Sequence, residues 1–160
     1  MGTGIFEATD PALGAQIDAE TLLHDLLDGA LQDPAWAGTA LTGEMDVQVA
    51  SDATRGQVVL YQCGQPVHVG FDVWRFTATI SVLANDPVTA WRLASHLSSA
   101  VPSWTYGKGP VCSSRLTAGF HRSADIKENM PKASKEYTAD ILVEARAARG
   151  DTNRKETPCP

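Results

Sequence analysis

The side chains able to do chemistry in this chain are few and scattered. Four histidines, His24, His68, His96 and His121, are the candidates for metal ligation or proton transfer, and either task needs a second group held within a few ångströms. No His-x-x-x-His or His–Glu pair places two such groups on one helix face. The four fall on four different elements, with His121 the best placed for a ligand or acid–base role, His24 and His96 reading as helix-surface residues and His68 as a polar ring near Pro66. Cys63, Cys112 and Cys159 include no Cys-x-x-Cys spacing, which argues against a zinc site and against a disulfide framework and leaves reduced thiols as the expectation. Cys112 has no local base to turn it into a nucleophile. Gly107-Lys108-Gly109-Pro110 shares a Gly-Lys step with phosphate loops but lacks the arch before it and the Ser or Thr after it, so it reads as a turn with an exposed lysine. The carboxylate pairs Glu44/Asp46 and Asp25/Asp28 lie where the apolar pattern turns outward, as solvated faces do. Arg149-Gly150-Asp151 spells an adhesion tripeptide, too short to carry weight. The residues therefore predict no catalytic, cofactor-binding or metal-binding site.

One domain has to position whatever these groups do. A chain of 160 residues has room for one core, and 43% hydrophobic with 20% charged residues excludes wholesale disorder. Thirteen basic against nineteen acidic residues give a net charge of −6, so no global positive field exists to grip phosphate or an anionic bilayer. No stretch approaches the length of a membrane span, and the first residues carry neither a basic nor an apolar leader signal, so the protein is expected to stay where it is made unless a partner carries it.

The elements follow from periodicity. Residues 1–17 read as an irregular lead-in, 18–147 as a single α+β domain, and 148–160 as a disordered tail with nothing to bury. Asp18 is a natural N-cap for a helix whose stripe is Leu22, Leu23, Leu26, Leu27, Ala30 and Leu31, and Asp33-Pro34 ends it. Met45, Val47 and Val49 alternate with polar residues as a half-buried strand, and 57–63 is apolar enough to be covered on both faces. From about Val69 to Ala84 the alternation of Trp74, Phe76, Ala78, Ile80 and Val82 predicts one unusually long strand. Asp86-Pro87 opens a second helix carrying Val88, Trp91, Ala94, Leu97 and Val101, stopped by Pro102. Strands over 111–122 and 137–145 complete the order α-β-β-β-α-β-β, a mixed, mainly antiparallel sheet of about five strands with two amphipathic helices on one face.

Two features exceed what a minimal fold needs. The long strand offers backbone or face to another subunit unless neighbours of equal length flank it. The polar stretch 123–135 is long for a loop and fits a contact that orders on assembly. These two nominate Arg75, Arg122, Lys127, Glu128, Met130, Lys132 and Lys135 as an assembly interface. Trp74, Trp91 and Trp104 read as core anchors, and Trp36 as a cap on one edge of the core.

The helix carrying Glu-Thr-Leu-Leu-His-Asp-Leu-Leu (20–27), the strand Asp-Val-Trp-Arg-Phe-Thr-Ala-Thr-Ile-Ser-Val-Leu-Ala (72–84), the helix start Asn-Asp-Pro-Val-Thr-Ala-Trp-Arg-Leu-Ala (85–94) and the strand Tyr-Thr-Ala-Asp-Ile-Leu-Val-Glu (137–144) resemble, in pattern and order, the tail terminator proteins of long-tailed phages infecting actinobacteria. The resemblance spans roughly 18–147 and transfers no residue to a named role. It implies a non-enzymatic virion protein, present in the host cytoplasm during assembly and in the virion at the head-proximal end of the tail. There a hexameric ring of copies of itself caps the tail tube protein, halts tube growth and meets a head-completion or neck protein. DNA would pass through the ring without specific binding, no membrane would be involved, and no cofactor would be needed. The competing readings are another neck or tail-completion protein, and a small cytosolic enzyme assembled from Cys112, His121 and Arg122. A nucleic-acid module is disfavoured because Trp74 and Phe76 adjoin a single arginine, Arg75.

Overall fold

Helix α1 (Ala19–Ala30) starts where its chemistry dictates. Asp18 accepts from the Thr21 amide at 3.2 Å and from the Thr21 hydroxyl at 2.8 Å, satisfying an N–H that the first helical turn leaves open. Ala19, Leu23, Leu27 and Leu31 are buried on one stripe, with Leu22, Leu26 and Ala30 at its margins. Asp33 then accepts from the Ala35 amide and opens a short 3-10 turn, Pro34–Trp36. The computed structural model from which this geometry is taken describes residues 17–43, 57–84, 86–107, 109–122 and 135–147, apart from the side chains of Lys135 and Glu136.

The sheet is built from β1 (Ala40–Thr42), β2 (Gln57–Cys63), β3 (Val67–Gly70), β4 (Val73–Ala84), β5 (Val111–Arg122) and β6 (Lys135–Arg146). Its order is β1-β2-β4-β6-β5, with β3 continuing alongside β4 where β2 leaves off. Only β1 against β2 is parallel; every other pairing described is antiparallel. The predicted α+β class is thus the one formed, with six strands described where about five were expected.

Two differences account for the count. The long strand expected from Val69 is broken by a two-residue turn at Phe71-Asp72, so its first residues fold back as β3 and pair with β4, Val67 opposite Arg75 and Gly70 opposite Val73. Alternation misses such a turn because Val67, Val69, Phe71 and Val73 hold a period of two straight through it. The three-residue β1 is too short to show any period at all. The strand expected around Met45–Val49 lies outside the described residues, as do the lead-in and the tail.

Helix α2 (Pro87–Ser103) is capped by Asp86, which accepts from the Thr89 amide at 2.8 Å and hydroxyl at 2.6 Å. Its buried stripe is Ala90, Leu93, Ala94, Leu97 and Val101. Val88 and Trp91, expected on that stripe, stand 63% and 58% exposed, so Trp91 is not a core anchor. Steps of three residues drift about 60° each at 3.6 residues per turn, so the run 88, 91, 94, 97 does not stay on one face: the burying arc is centred near Leu97, Trp91 falls at its rim and Val88 on the opposite side. Pro102 also does not stop the helix at 101; it sits in the last turn, and the chain runs through Ser103 into a second 3-10 turn, Trp104–Tyr106. Ser114 on β5 secures that end, its hydroxyl donating to the Val101 carbonyl and its amide donating to Thr105 Oγ1 at 3.1 Å.

Both helices cover one face of the sheet. Phe76, Ala78, Ile80 and Val82 of β4 and Ile141, Val143 and Ala145 of β6 meet Leu23, Leu27, Leu93 and Leu97 in one core. On the other face Val58, Leu60 and Leu83 form a small second cluster, so β2 is covered on both sides, as its composition predicts.

Candidate interaction surface

The histidines are dispersed, and each is held by a local partner. His24 Nδ1 lies 2.9 Å from the Tyr61 hydroxyl, His96 Nε2 donates to the Ala30 carbonyl at 2.7 Å beneath Trp36, and His121 Nδ1 donates to the Gly119 carbonyl at 2.9 Å. Cys112 and His121 occupy opposite ends of β5, about 30 Å apart at the rise of an extended strand. The constellation that an enzyme of Cys112, His121 and Arg122 would require is therefore not brought together. Among the described residues no group of three His, Cys, Asp or Glu side chains is placed to hold a metal ion, and no helix is long and apolar enough to cross a membrane.

The thiols differ from the expectation. Cys112 is disulfide-bonded, a pairing that spacing alone does not reveal, while Cys63 is free and half-buried. Burial, reinforced by Glu20 and Asp18, pushes the Cys63 thiol up to about 11, which keeps it protonated and inert at neutral pH. Burial first and Glu20 second also raise the neighbouring Tyr61 phenol.

Of the nominated interface residues, Arg75 lies on the face of β4 away from the helices and pairs with Glu144 directly across the strand boundary at 2.8 Å. Thr79–Asp140 and Ser81–Thr138 continue this polar ladder. Arg122 is the last residue of β5, exposed and in register with Tyr137, and Lys135 begins β6 two residues earlier. Arg75 and Arg122 thus lie toward opposite ends of the sheet. Lys127, Glu128, Met130 and Lys132 lie outside the described residues.

Exposed apolar side chains mark both ends of the sheet. At one end the β3–β4 hairpin carries Val67, Val69 and Phe71, 59%, 41% and 90% exposed, with Tyr106 exposed at the same end. Phe71 adopts φ +50°, a left-handed conformation that costs an L residue about 1–2 kcal/mol and that Asn or Gly would fill more readily. The turn is nonetheless braced. His68 Nε2 donates to the Phe71 carbonyl, the His68 ring packs on Trp74 at 5.1 Å, and the Ala147 amide donates to the Asp72 carbonyl at 2.7 Å.

At the opposite end α2 and the β5–β6 pair leave a groove of about 340 Å³, lined by Trp91, Ala94, Ser95 and Ser98 from the helix and Gly119, Phe120 and Tyr137 from the strands. Small residues at 94, 95 and 98 make the floor, and three aromatics make the walls. The sequence signal for this surface lies in Trp91, whose spacing to Ala94 fits the core stripe and its rim equally. Comparison with known proteins returns no matching family model and no matching curated protein for this chain.

Proposed function

We propose that the chain is a self-assembling structural subunit of a long-tailed phage virion. In this reading it acts as the tail terminator, a ring, hexameric by family resemblance, that caps the tail tube at its head-proximal end, ends polymerisation and presents a surface to a head-completion or neck protein. The observation that carries the reading is the display of two unlike surfaces at opposite ends of one sheet, a convex apolar hairpin tip and a concave groove of aromatic walls with a small-residue floor. A closed ring needs such a heterologous pair, because each copy must use one surface to hold its neighbour and a different surface to be held. The net charge of −6 supports it further, since a lumen that passes genome must not retain phosphate. The pattern of elements over roughly 18–147 supplies the virion context. Electron microscopy of phage particles lacking this protein tests the assignment. Tails of uncontrolled length that fail to join heads are expected, and normal infectious particles would overturn it.

A further inference from the structure

We infer that Cys112 and Cys159 form a redox-sensitive clasp that fastens the chain beyond Ala147 back onto the start of β5. The clasp is independent of the virion reading and goes beyond it. Three observations carry it. First, the partner of Cys112 follows by elimination. Cys112 is disulfide-bonded, Cys63 is free, and the chain holds one further cysteine, Cys159.

Second, the sheet itself forbids the other pairing. Cys63 stands opposite Ala78, Ala78 opposite Ile141 and Ile141 opposite Leu116, so Cys63 lies three strands across from β5 and level with Leu116. Three strand spacings and the four residues from Leu116 to Cys112 put the two cysteines roughly 19 Å apart. A disulfide tolerates no more than about 7 Å between Cα atoms. Third, the chain leaves β6 at the correct end of the sheet. Ala145 stands opposite Val111, the Arg146 amide donates to the Pro110 carbonyl at 2.8 Å, and the Ala147 amide donates to the Asp72 carbonyl at 2.7 Å. Ala147 is thus pinned roughly 11 Å from Cys112 at strand rise and spacing. The eleven residues 148–158 that separate it from Cys159 reach about 36–40 Å when extended, so the bond closes without displacing β5 or β6.

The bond forms by exchange with a low-molecular-weight disulfide such as oxidised glutathione. One protein thiolate attacks a sulfur of the oxidant and expels a small thiolate; the second protein thiolate then attacks the protein sulfur of that mixed disulfide and expels the other. Two protein thiols lose two protons and two electrons, and one small disulfide becomes two small thiols. Cys112 is partly exposed, which admits the reagent. Cys63 packs against the core with its thiol pushed up to about 11, which keeps it out of the exchange. A reducing compartment opens the clasp and an oxidising one closes it. Closed, it joins residues 112 and 159 in one loop that contains nearly all of β5 and β6, and so restricts the unfolded chain around that strand pair.

Trypsin separates the three cysteines into the peptides 56–75, 109–115 and 156–160. The full chain is therefore incubated with oxidised glutathione, alkylated in denaturant without reduction, digested and read by mass spectrometry. Peptide 109–115 joined to 156–160 is expected, from a protein that runs as a monomer on a non-reducing gel, with the alkyl group on Cys63. Cys112 joined to Cys63, joined to Cys112 of a second copy, alkylated, or left carrying glutathione overturns the pairing. Thermal unfolding reads the switch. Oxidised wild type is expected to melt at least about 5 °C above both reduced wild type and oxidised Cys159→Ser, and Cys63→Ser to keep the difference between its oxidised and reduced forms. Equal melting of oxidised wild type and Cys159→Ser overturns the clasp as a device that acts on the fold. None of these outcomes touches tail-tube capping, which stands or falls by its own test.

Discussion

Replacing Phe71 by Asn separates what the residue does for the fold from what it does for a partner. The native backbone there is left-handed, φ +50°, a region in which Asn is several-fold enriched over other non-glycine residues. A several-fold preference corresponds to about 1 kcal/mol. Against it stands the burial lost with the ring. At 90% exposure roughly 20 Å² of an aromatic side chain is covered, worth about 0.5 kcal/mol. The brace is unaffected, because His68 bonds the main-chain carbonyl of residue 71 and Ala147 bonds that of Asp72. The net expectation is that the protein is stabilised by about 0.5 kcal/mol, with an unchanged denaturant slope. Urea unfolding followed by tryptophan fluorescence reads this directly. A loss of more than about 1 kcal/mol would refute the reasoning, because Phe71 would then be packing within its own chain instead of standing free.

Three other outcomes follow from the same geometry. Ser114→Ala removes the hydroxyl that ties β5 to the Val101 carbonyl at the buried end of α2 and should cost about 1–2 kcal/mol in urea unfolding; a neutral result would mean that this link does not secure the helix end. Cys63, with its thiol pushed from an ordinary 9.0 up to about 11, should alkylate at pH 8 roughly 100-fold more slowly in the folded than in the unfolded protein, with the rate climbing toward pH 11, as followed by peptide mass spectrometry. Because the folded value is raised, the protonated thiol favours folding below the unfolded value, and that contribution fades as pH rises through the folded one. Asp18 and Asp86 titrate the other way. Hydrogen bonds from the Thr21 and Thr89 hydroxyls and amides lower both carboxyls, so their contribution is present above the ordinary carboxylate range and is lost as pH falls through the lowered values. Asp86→Asn keeps a capping oxygen without a titrating group and should flatten the fall of Tm between about pH 4 and pH 2; an unchanged fall would remove Asp86 from the account.

Where periodicity had several turns to act it located the elements. Both N-caps, the buried run Ala139, Ile141, Val143 and Ala145, and the full extent of the 111–122 strand were legible because capping chemistry and alternation each leave a local mark. The β3–β4 turn was not legible. Phe-Asp is not a usual turn pair, and apolar residues at 67, 69, 71 and 73 look like one face of an unbroken strand. Trp91 is exposed for a related reason: spacing identifies a helix face but not how wide an arc the sheet covers. Both cases hide exposed apolar residues inside a regular pattern, so these surfaces become visible only from burial.

In the proposed function this chain works by holding copies of itself at the end of a tube. The most direct measurement is electron microscopy of tail tubes polymerised with and without the purified protein. The account predicts tubes that stop growing and carry one ring of this protein at a single end. Tubes that elongate equally in its presence, with no ring bound, would contradict it.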